Sequence, residues 1–167
     1  MILQGDCLEA MKILDSESIQ CCVTSPPYFG LRDYEVDGQI GLEESPELYV
    51  KKMVQIFHEL KRIMRSDGIL WLNLGDSYSG SGKGGQSEEK RSENWQPKYT
   101  NKNMRYGLKP KDLIGIPWMV AFALRADGWY LRSDIIWAKP NPMPESVKDR
   151  PTKSHEYLFL LSKNQKY

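Results

Sequence analysis

The chain reads as an α/β domain in which a mostly parallel sheet is flanked by helices, and three observations predict it. Short apolar runs alternate with segments of helical periodicity along all 167 residues. The run Ile19-Gln20-Cys21-Cys22-Val23-Thr24 is nearly unbroken in apolar and β-branched residues, as a buried parallel strand tends to be. Parallel neighbours also need crossover connections, which are usually helical.

Met1-Ile2-Leu3-Gln4 is a short strand candidate that ends at Gly5-Asp6, and a helix follows from Cys7 to Leu14, with Leu8, Met11 and Leu14 at helical spacing. Ile19 to Thr24 is the second strand. The clearest helix is Pro46 to Met64, where Tyr49, Met53, Ile56, Phe57, Leu60, Ile63 and Met64 form one stripe behind a Ser45 N-cap and a proline in the first turn. Ser66-Asp67-Gly68 reads as its stop. Ile69 to Leu74 is the third strand, and Gly75-Asp76 follows at the carboxyl end, where open α/β sheets place their ligands. From Ser77 to Leu108 the composition is polar, rich in Gly, Ser, Lys and Asn, and without sustained period. This stretch predicts a mobile insertion that stays out of the core. A helix from Asp112 to Ala126, a stop at Asp127-Gly128, a strand from Trp129 to Ala138 and a last strand from Tyr157 to Leu161 complete the pattern.

A single domain with a substantial core fits this length and the 40% hydrophobic content. Net charge is only +1, so any nucleic-acid contact has to be local. Three cysteines, two of them adjacent and none in a Cys-x-x-Cys pair, support neither a disulfide framework nor a zinc site. A reducing, cytoplasmic setting fits best, and no long apolar stretch predicts a membrane span. Gly80 to Gly85 matches Gly-x-Gly-x-x-Gly, yet Gln86-Ser87-Glu88-Glu89-Lys90-Arg91 follows with no apolar stripe to dock a helix, so the dinucleotide reading fails. His58 lies in the long helix and His155 before the last strand. Two histidines so far apart are expected to be structural.

The most informative segment is Ser25-Pro26-Pro27-Tyr28. Each proline fixes φ and lacks an N–H, so strand pairing stops and carbonyl acceptors stand in a stiff loop beside a hydroxyl and an aromatic ring. Such a loop suits a planar base whose exocyclic amine reacts. On its own, though, it is more readily a structural turn.

Together with Gly5-Asp6-Cys7, Leu72-Asn73-Leu74-Gly75-Asp76-Ser77-Tyr78 and Ile136-Trp137-Ala138-Lys139-Pro140-Asn141-Pro142, this loop resembles the S-adenosylmethionine-dependent DNA amino-methyltransferases. The motif order resembles their permuted class, with the catalytic half first. The resemblance implies a Rossmann-like methyltransferase sheet, S-adenosylmethionine as methyl donor and double-stranded DNA as partner. Serine at the head of the loop resembles the members acting on cytosine N4, with adenine N6 as the alternative. By the same resemblance Ser25, Pro26, Pro27 and Tyr28 are catalytic, with Tyr28 stacking on the flipped base and Phe29 second in that role. Asp6, Cys7 and Thr24 are assigned to the cofactor, although Asp6 is equally a helix N-cap.

Lys139, Asn141, Arg150 and Lys153, on a proline-stiffened segment, are candidates for DNA contact. No metal site is expected. The family's Phe-x-Gly-x-Gly cofactor motif belongs after the last strand, and the chain stops at Tyr167 before it. Residues 1–167 are therefore expected to be a catalytic half with the central cofactor-side strands missing, one that binds the donor weakly and either self-associates or needs a complementing chain. A remnant that binds DNA without catalysis is the alternative.

Overall fold

A computed structural model describes residues 2–79 and 107–167. The elements run in the order α1 (Cys7–Lys12), β1 (Ile19–Thr24), α2 (Pro46–Ile63), β2 (Met64–Leu74), α3 (Ile116–Ala126), β3 (Tyr130–Ala138) and β4 (His155–Ser162). The strands form one sheet in the order β1-β2-β4-β3. β1 and β2 pair in parallel, with Val23 opposite Trp71 and Thr24 opposite Leu72. β4 is antiparallel to both of its neighbours, with Leu74 opposite Tyr157 on one side and Ala138 opposite His155 on the other.

The α/β reading therefore holds, and three of the four strands share one direction. The reversal of β4 makes the sheet mixed, and it has a consequence for the site. The start of β4 lies beside the carboxyl ends of β1, β2 and β3, the end of the sheet from which the Ser25 loop departs.

One face of the sheet carries the core. Leu70, Leu72 and Leu74 from β2 and Phe159 and Leu161 from β4 are buried against Tyr49, Met53, Phe57, Leu60 and Ile63 of α2 and Ile116, Val120 and Leu124 of α3. The stripe read from the sequence on α2 is the buried one, and Ser45 caps the helix through its hydroxyl, which accepts from Leu48 N at 3.3 Å. On the opposite face Val23 is 75% and Trp137 54% exposed, so the apolar covering is one-sided. β1 forms one edge of the sheet.

Four expectations need correction. Ile2 to Gln4 form no strand and pair with none of the described strands, and Ile2 is 96% exposed. Ser66-Asp67-Gly68 does not stop α2. β2 starts at Met64 and bulges over this stretch, and the chain after β4 takes up its carbonyls: Asn164 Nδ2 donates to Ser66 O at 2.8 Å and Lys163 N to Gly68 O at 3.0 Å. The helix expected from Asp112 begins at Ile116 instead, after Gly115 at φ 86°. The ends of the polar insertion belong to the packed structure, since Ser79 is buried and exchanges backbone bonds with Lys111 and Asp112 at 2.8 Å. The rest of that insertion, including Gly80 to Gly85 and its cations, lies outside the described residues.

Remote side chains close several helix ends. Arg62 of α2 donates to Met11 O and Leu14 O at 2.9 and 3.1 Å beyond α1, and Lys61 donates to Gly128 O at 2.8 Å beyond α3. Gly115 has no side chain to cap α3. Asp76 takes that role from 39 residues away, its Oδ1 accepting from Gly115 N and Ile116 N at 3.0 Å and from Ser77 N at 2.9 Å. Replacing Asp76 with Ala is therefore expected to cost about 1–2 kcal/mol of unfolding free energy, the range for a lost N-cap, measured by urea denaturation. An unchanged midpoint would remove Asp76 from this role.

Candidate active site

The Ser25 loop leaves β1 at the carboxyl end of the sheet, and its geometry centres on one hydroxyl. The Tyr28 hydroxyl lies 2.7 Å from Asn73 Oδ1, 3.1 Å from Glu156 Oε2 and 3.2 Å from Ser25 Oγ. Ser25 Oγ is also 3.3 Å from Asn73 Oδ1. Asn73 itself is oriented from behind, with its Nδ2 donating to Tyr157 O at 3.2 Å. That contact turns its oxygen toward the loop.

Hydroxyl protons are few here. Tyr28 and Ser25 own one each, while Asn73 Oδ1, Glu156 Oε2 and the Tyr28 oxygen all accept. Whether Tyr28 gives its proton to Asn73, its shortest contact, or to Glu156, Ser25 finds an inward acceptor for its own in the Tyr28 oxygen or Asn73, so the lone pairs of Ser25 remain available to a ligand. A serine hydroxyl then behaves as an acceptor.

Packing holds the loop in place. Tyr49, buried in α2, donates its hydroxyl to Pro27 O at 2.9 Å, and Gly30 N donates to Gly41 O at 2.7 Å to close the following turn. The Tyr28 ring lies on Gly75, where an added Cβ would stand 2.5 Å from Cε2 and 2.6 Å from Cδ2. Glycine is required there for space. A cavity of about 390 Å³ opens over this floor, lined by Ser25, Pro26, Pro27, Tyr28, Leu31, Arg32, Tyr34 and Glu156. That volume is within the range of small-molecule sites. A second, wider groove of about 590 Å³ lies on the other side of Ser25, on the open sheet face, among Val23, Thr24, Trp71, Asn73, Trp137 and Leu158.

Charge is organised around Glu156. Lys139 Nζ is bonded to its Oε1 while Tyr28 holds Oε2. Burial alone would raise this carboxyl, but the bonds from Lys139 and Tyr28 hold it below the usual range. The Tyr28 phenol is pushed up to about 12, chiefly by burial and further by the negative charge of Glu156. Burial likewise raises Asp76 and lowers Lys153, whose ammonium feels the pull of Asp76 and Glu156.

The residues expected from the sequence are only partly brought together. Ser25, Pro26, Pro27 and Tyr28 share one cavity, and Lys139 joins them through Glu156. Asp6 is the N-cap of α1, accepting from Leu8 N at 2.9 Å and Glu9 N at 3.2 Å, with Cys7 exposed beside it and Thr24 at the end of β1. Phe29 corrects an expectation. It is 4% exposed, its ring tilted against Tyr49 at 5.6 Å, so it fills the core and presents no face to a base. Arg150 is bound to Glu145 at 2.6 Å and lies 4.0 Å over the Tyr78 ring, whereas Asn141 is exposed and Lys153 partly so. Sequence reading missed Glu156 and Tyr49, whose partners lie 128 and 22 residues away, and gave Asn73 no separate role.

Among the described residues no group of three or more His, Cys, Asp and Glu is placed to hold a metal ion, and no helix is long and apolar enough to cross a membrane.

Two outcomes follow from this packing. Gly75→Ala should push the Tyr28 ring off its floor and cost about 1–3 kcal/mol in urea unfolding, as overpacking does, whereas an unchanged midpoint would contradict the contact. Because the carboxyl of Glu156 titrates lower in the fold than in the unfolded chain, its contribution to stability is complete above the ordinary carboxyl range and is lost as pH falls through and below about 4. Glu156→Gln should flatten that part of the acid-unfolding profile, and an identical profile would contradict the pairing.

Comparison with known proteins gives a consistent result. Over 166 residues, 99% of this chain, it is 54% identical to the type II methyltransferase M.Cfr9I of Citrobacter freundii and 54% identical to M.SmaI of Serratia marcescens. It covers 55% and 56% of those proteins, so the chain spans about half the length of the curated relatives it matches. Among solved structures, PvuII DNA methyltransferase (cytosine-N4-specific) superposes with a TM-score of 0.65 at 18% identity, over 97% of this chain and 48% of that one. A Thermus thermophilus protein assigned as a DNA modification methylase and complexed with S-adenosyl-L-methionine gives 0.63 at 22% identity, over 98% and 55%. These two share the fold. Residues 19–167 match the DNA methylase family of N6 and N4 methyltransferases, and the chain belongs to that family.

Proposed function

We propose that this chain carries the amine-binding half of a DNA methyltransferase that moves a methyl group from S-adenosylmethionine to the exocyclic amine of a flipped base, cytosine N4 before adenine N6. The observation that carries the reading is the cavity floored by Tyr28, in which Ser25 and Pro26 face a space suited to a small planar ligand while Tyr49 occupies the carbonyl of Pro27. An exocyclic amine is a poor nucleophile because its lone pair is delocalised into the ring. Acceptors that grip its two protons favour a pyramidal nitrogen and free that pair. Ser25 Oγ and the Pro26 carbonyl are the acceptors in this reading, and the Tyr28 ring is the stacking surface. Serine at the head of the loop, together with a structural neighbour described as cytosine-N4-specific, supports N4.

The donor's chemistry is an electrophilic methyl on a sulfonium, so the protein's task is alignment. The open groove beside Thr24 and Ser25 fits a donor approaching Ser25, and Asp6 and Cys7, which do not line it, are proposed as further polar contacts. This groove is shallow and one-sided. We propose that a further segment, in cis or as a complementing chain, covers the face bearing Val23 and Trp137 and adds the glycine-rich cofactor motif. Asn141 and Lys153, on the segment after β3, are proposed to meet DNA phosphates. Lys139 stays on Glu156, and Arg150 is proposed to meet them only on leaving Glu145.

The test joins this chain to the corresponding second half of the Citrobacter freundii relative, supplies duplex DNA and labelled donor, and identifies the methylated base by mass spectrometry. N4-methylcytosine is expected, with a drop of about a hundredfold or more in Ser25→Ala. N6-methyladenine would move the assignment to adenine, and DNA binding without transfer would favour a non-catalytic remnant. Residues 1–167 alone are expected to show weak or no heat of binding with S-adenosylmethionine. Micromolar binding by a monomer would contradict the need for a further segment.

A further inference from the structure

The loop that grips the amine begins with serine, so it brings no negative charge to a nitrogen that must become positive. A carboxylate nevertheless stands in the same cavity. Glu156 Oε2 and Ser25 Oγ flank the single hydroxyl of Tyr28, at 3.1 and 3.2 Å, and both residues line the space above it. A carboxylate has about four acceptor sites, and Lys139 on Oε1, Tyr28 on Oε2 and the side chain of Asn73 engage three of them. The remaining site suits an N–H donor, as carboxylates accept from the amine of cytosine in base readout.

We propose that Glu156 is a further catalytic residue of the amine-methylation reaction, the carboxylate that takes up the proton the nitrogen sheds after methyl transfer and offsets the charge developing on nitrogen. The inference rests on the reading given under Proposed function. In the step itself the amine nitrogen uses its lone pair to form a bond to the methyl carbon, and the carbon–sulfur pair remains on sulfur. The nitrogen is then cationic with both its protons. One proton passes to Glu156, leaving a neutral methylated amine, and Glu156 later releases it to water. Lys139 sits on the far oxygen of Glu156, so it holds the carboxylate ionised without standing between it and the cavity. Charge aimed at a site of developing charge is usually the largest single term in such catalysis.

This role is separable from a structural one, because Glu156→Gln keeps an oxygen for Tyr28 while removing the charge and the second acceptor oxygen, and Glu156→Asp keeps both. In the completed enzyme, Glu156→Gln is expected to lower kcat about tenfold to a hundredfold, with KM for DNA within about threefold. Glu156→Asp, one methylene shorter but still charged, should recover part of that loss. A second readout needs neither donor nor DNA. Titration of tyrosine absorbance, with Tyr28→Phe as the difference standard, should place the Tyr28 phenol near 12 and move it down in Glu156→Gln while leaving it above the ordinary tyrosine range, since burial, the larger cause, remains. Circular dichroism confirms that the variants are folded. Transfer by Glu156→Gln within about twofold of the unaltered protein, or equal loss in the Gln and Asp variants, would overturn the role of Glu156 alone. An absence of transfer by the unaltered protein would overturn the amine-methylation reading and this role with it.

Discussion

The site depends on one shared proton. Tyr28 has a single hydroxyl hydrogen to offer Asn73 and Glu156, and Ser25 has one to offer Tyr28 and Asn73. Each choice of donor fixes the next. In each arrangement Ser25 donates inward, to the Tyr28 oxygen or to Asn73, and so faces the cavity as an acceptor, with Tyr28–Asn73 at 2.7 Å the shortest of these contacts. A loop hydroxyl of ordinary chemistry is thereby given a direction by partners on two other strands.

The sheet brings those partners together. Asn73 stands near the end of β2, Lys139 directly follows β3, and Glu156 is the second residue of β4. Residues at the carboxyl ends of parallel strands converge in any open α/β sheet. Glu156 reaches the same end only because β4 runs the other way, so that its first residues lie beside the last residues of β2 and β3. Were β4 parallel to its neighbours, Glu156 would sit at the opposite end of the sheet. The mixed topology is thus part of the chemistry, and Asp76 binds the same region to α3 by capping it from the end of β2.

The parts of this structure that are legible in the sequence are governed by local patterns. The apolar period of α2, its Ser45 cap and the proline stop after β1 are each readable within a few residues, and the motifs carry the family. What escapes reading depends on pairing across the chain. Ile2 to Gln4 have strand composition but no partner among the described strands. Ser66 to Gly68 have stop chemistry, yet Lys163 and Asn164 draw them into a bulge. Phe29 follows a motif tyrosine, a position that suggests a base contact, whereas its ring packs on Tyr49 in the core. Glu156 gives no motif signal, since its significance comes from Tyr28 on a loop 128 residues earlier.

The central claim is that Tyr28 and Asn73 are bound as a pair that directs Ser25. A double-mutant cycle on unfolding free energy, with Tyr28→Phe, Asn73→Ala and the combination, measures that pairing without reference to catalysis. A coupling of about 1 kcal/mol or more is expected for a partly buried hydrogen bond of this kind. Additive single effects, with coupling near zero, would contradict the account.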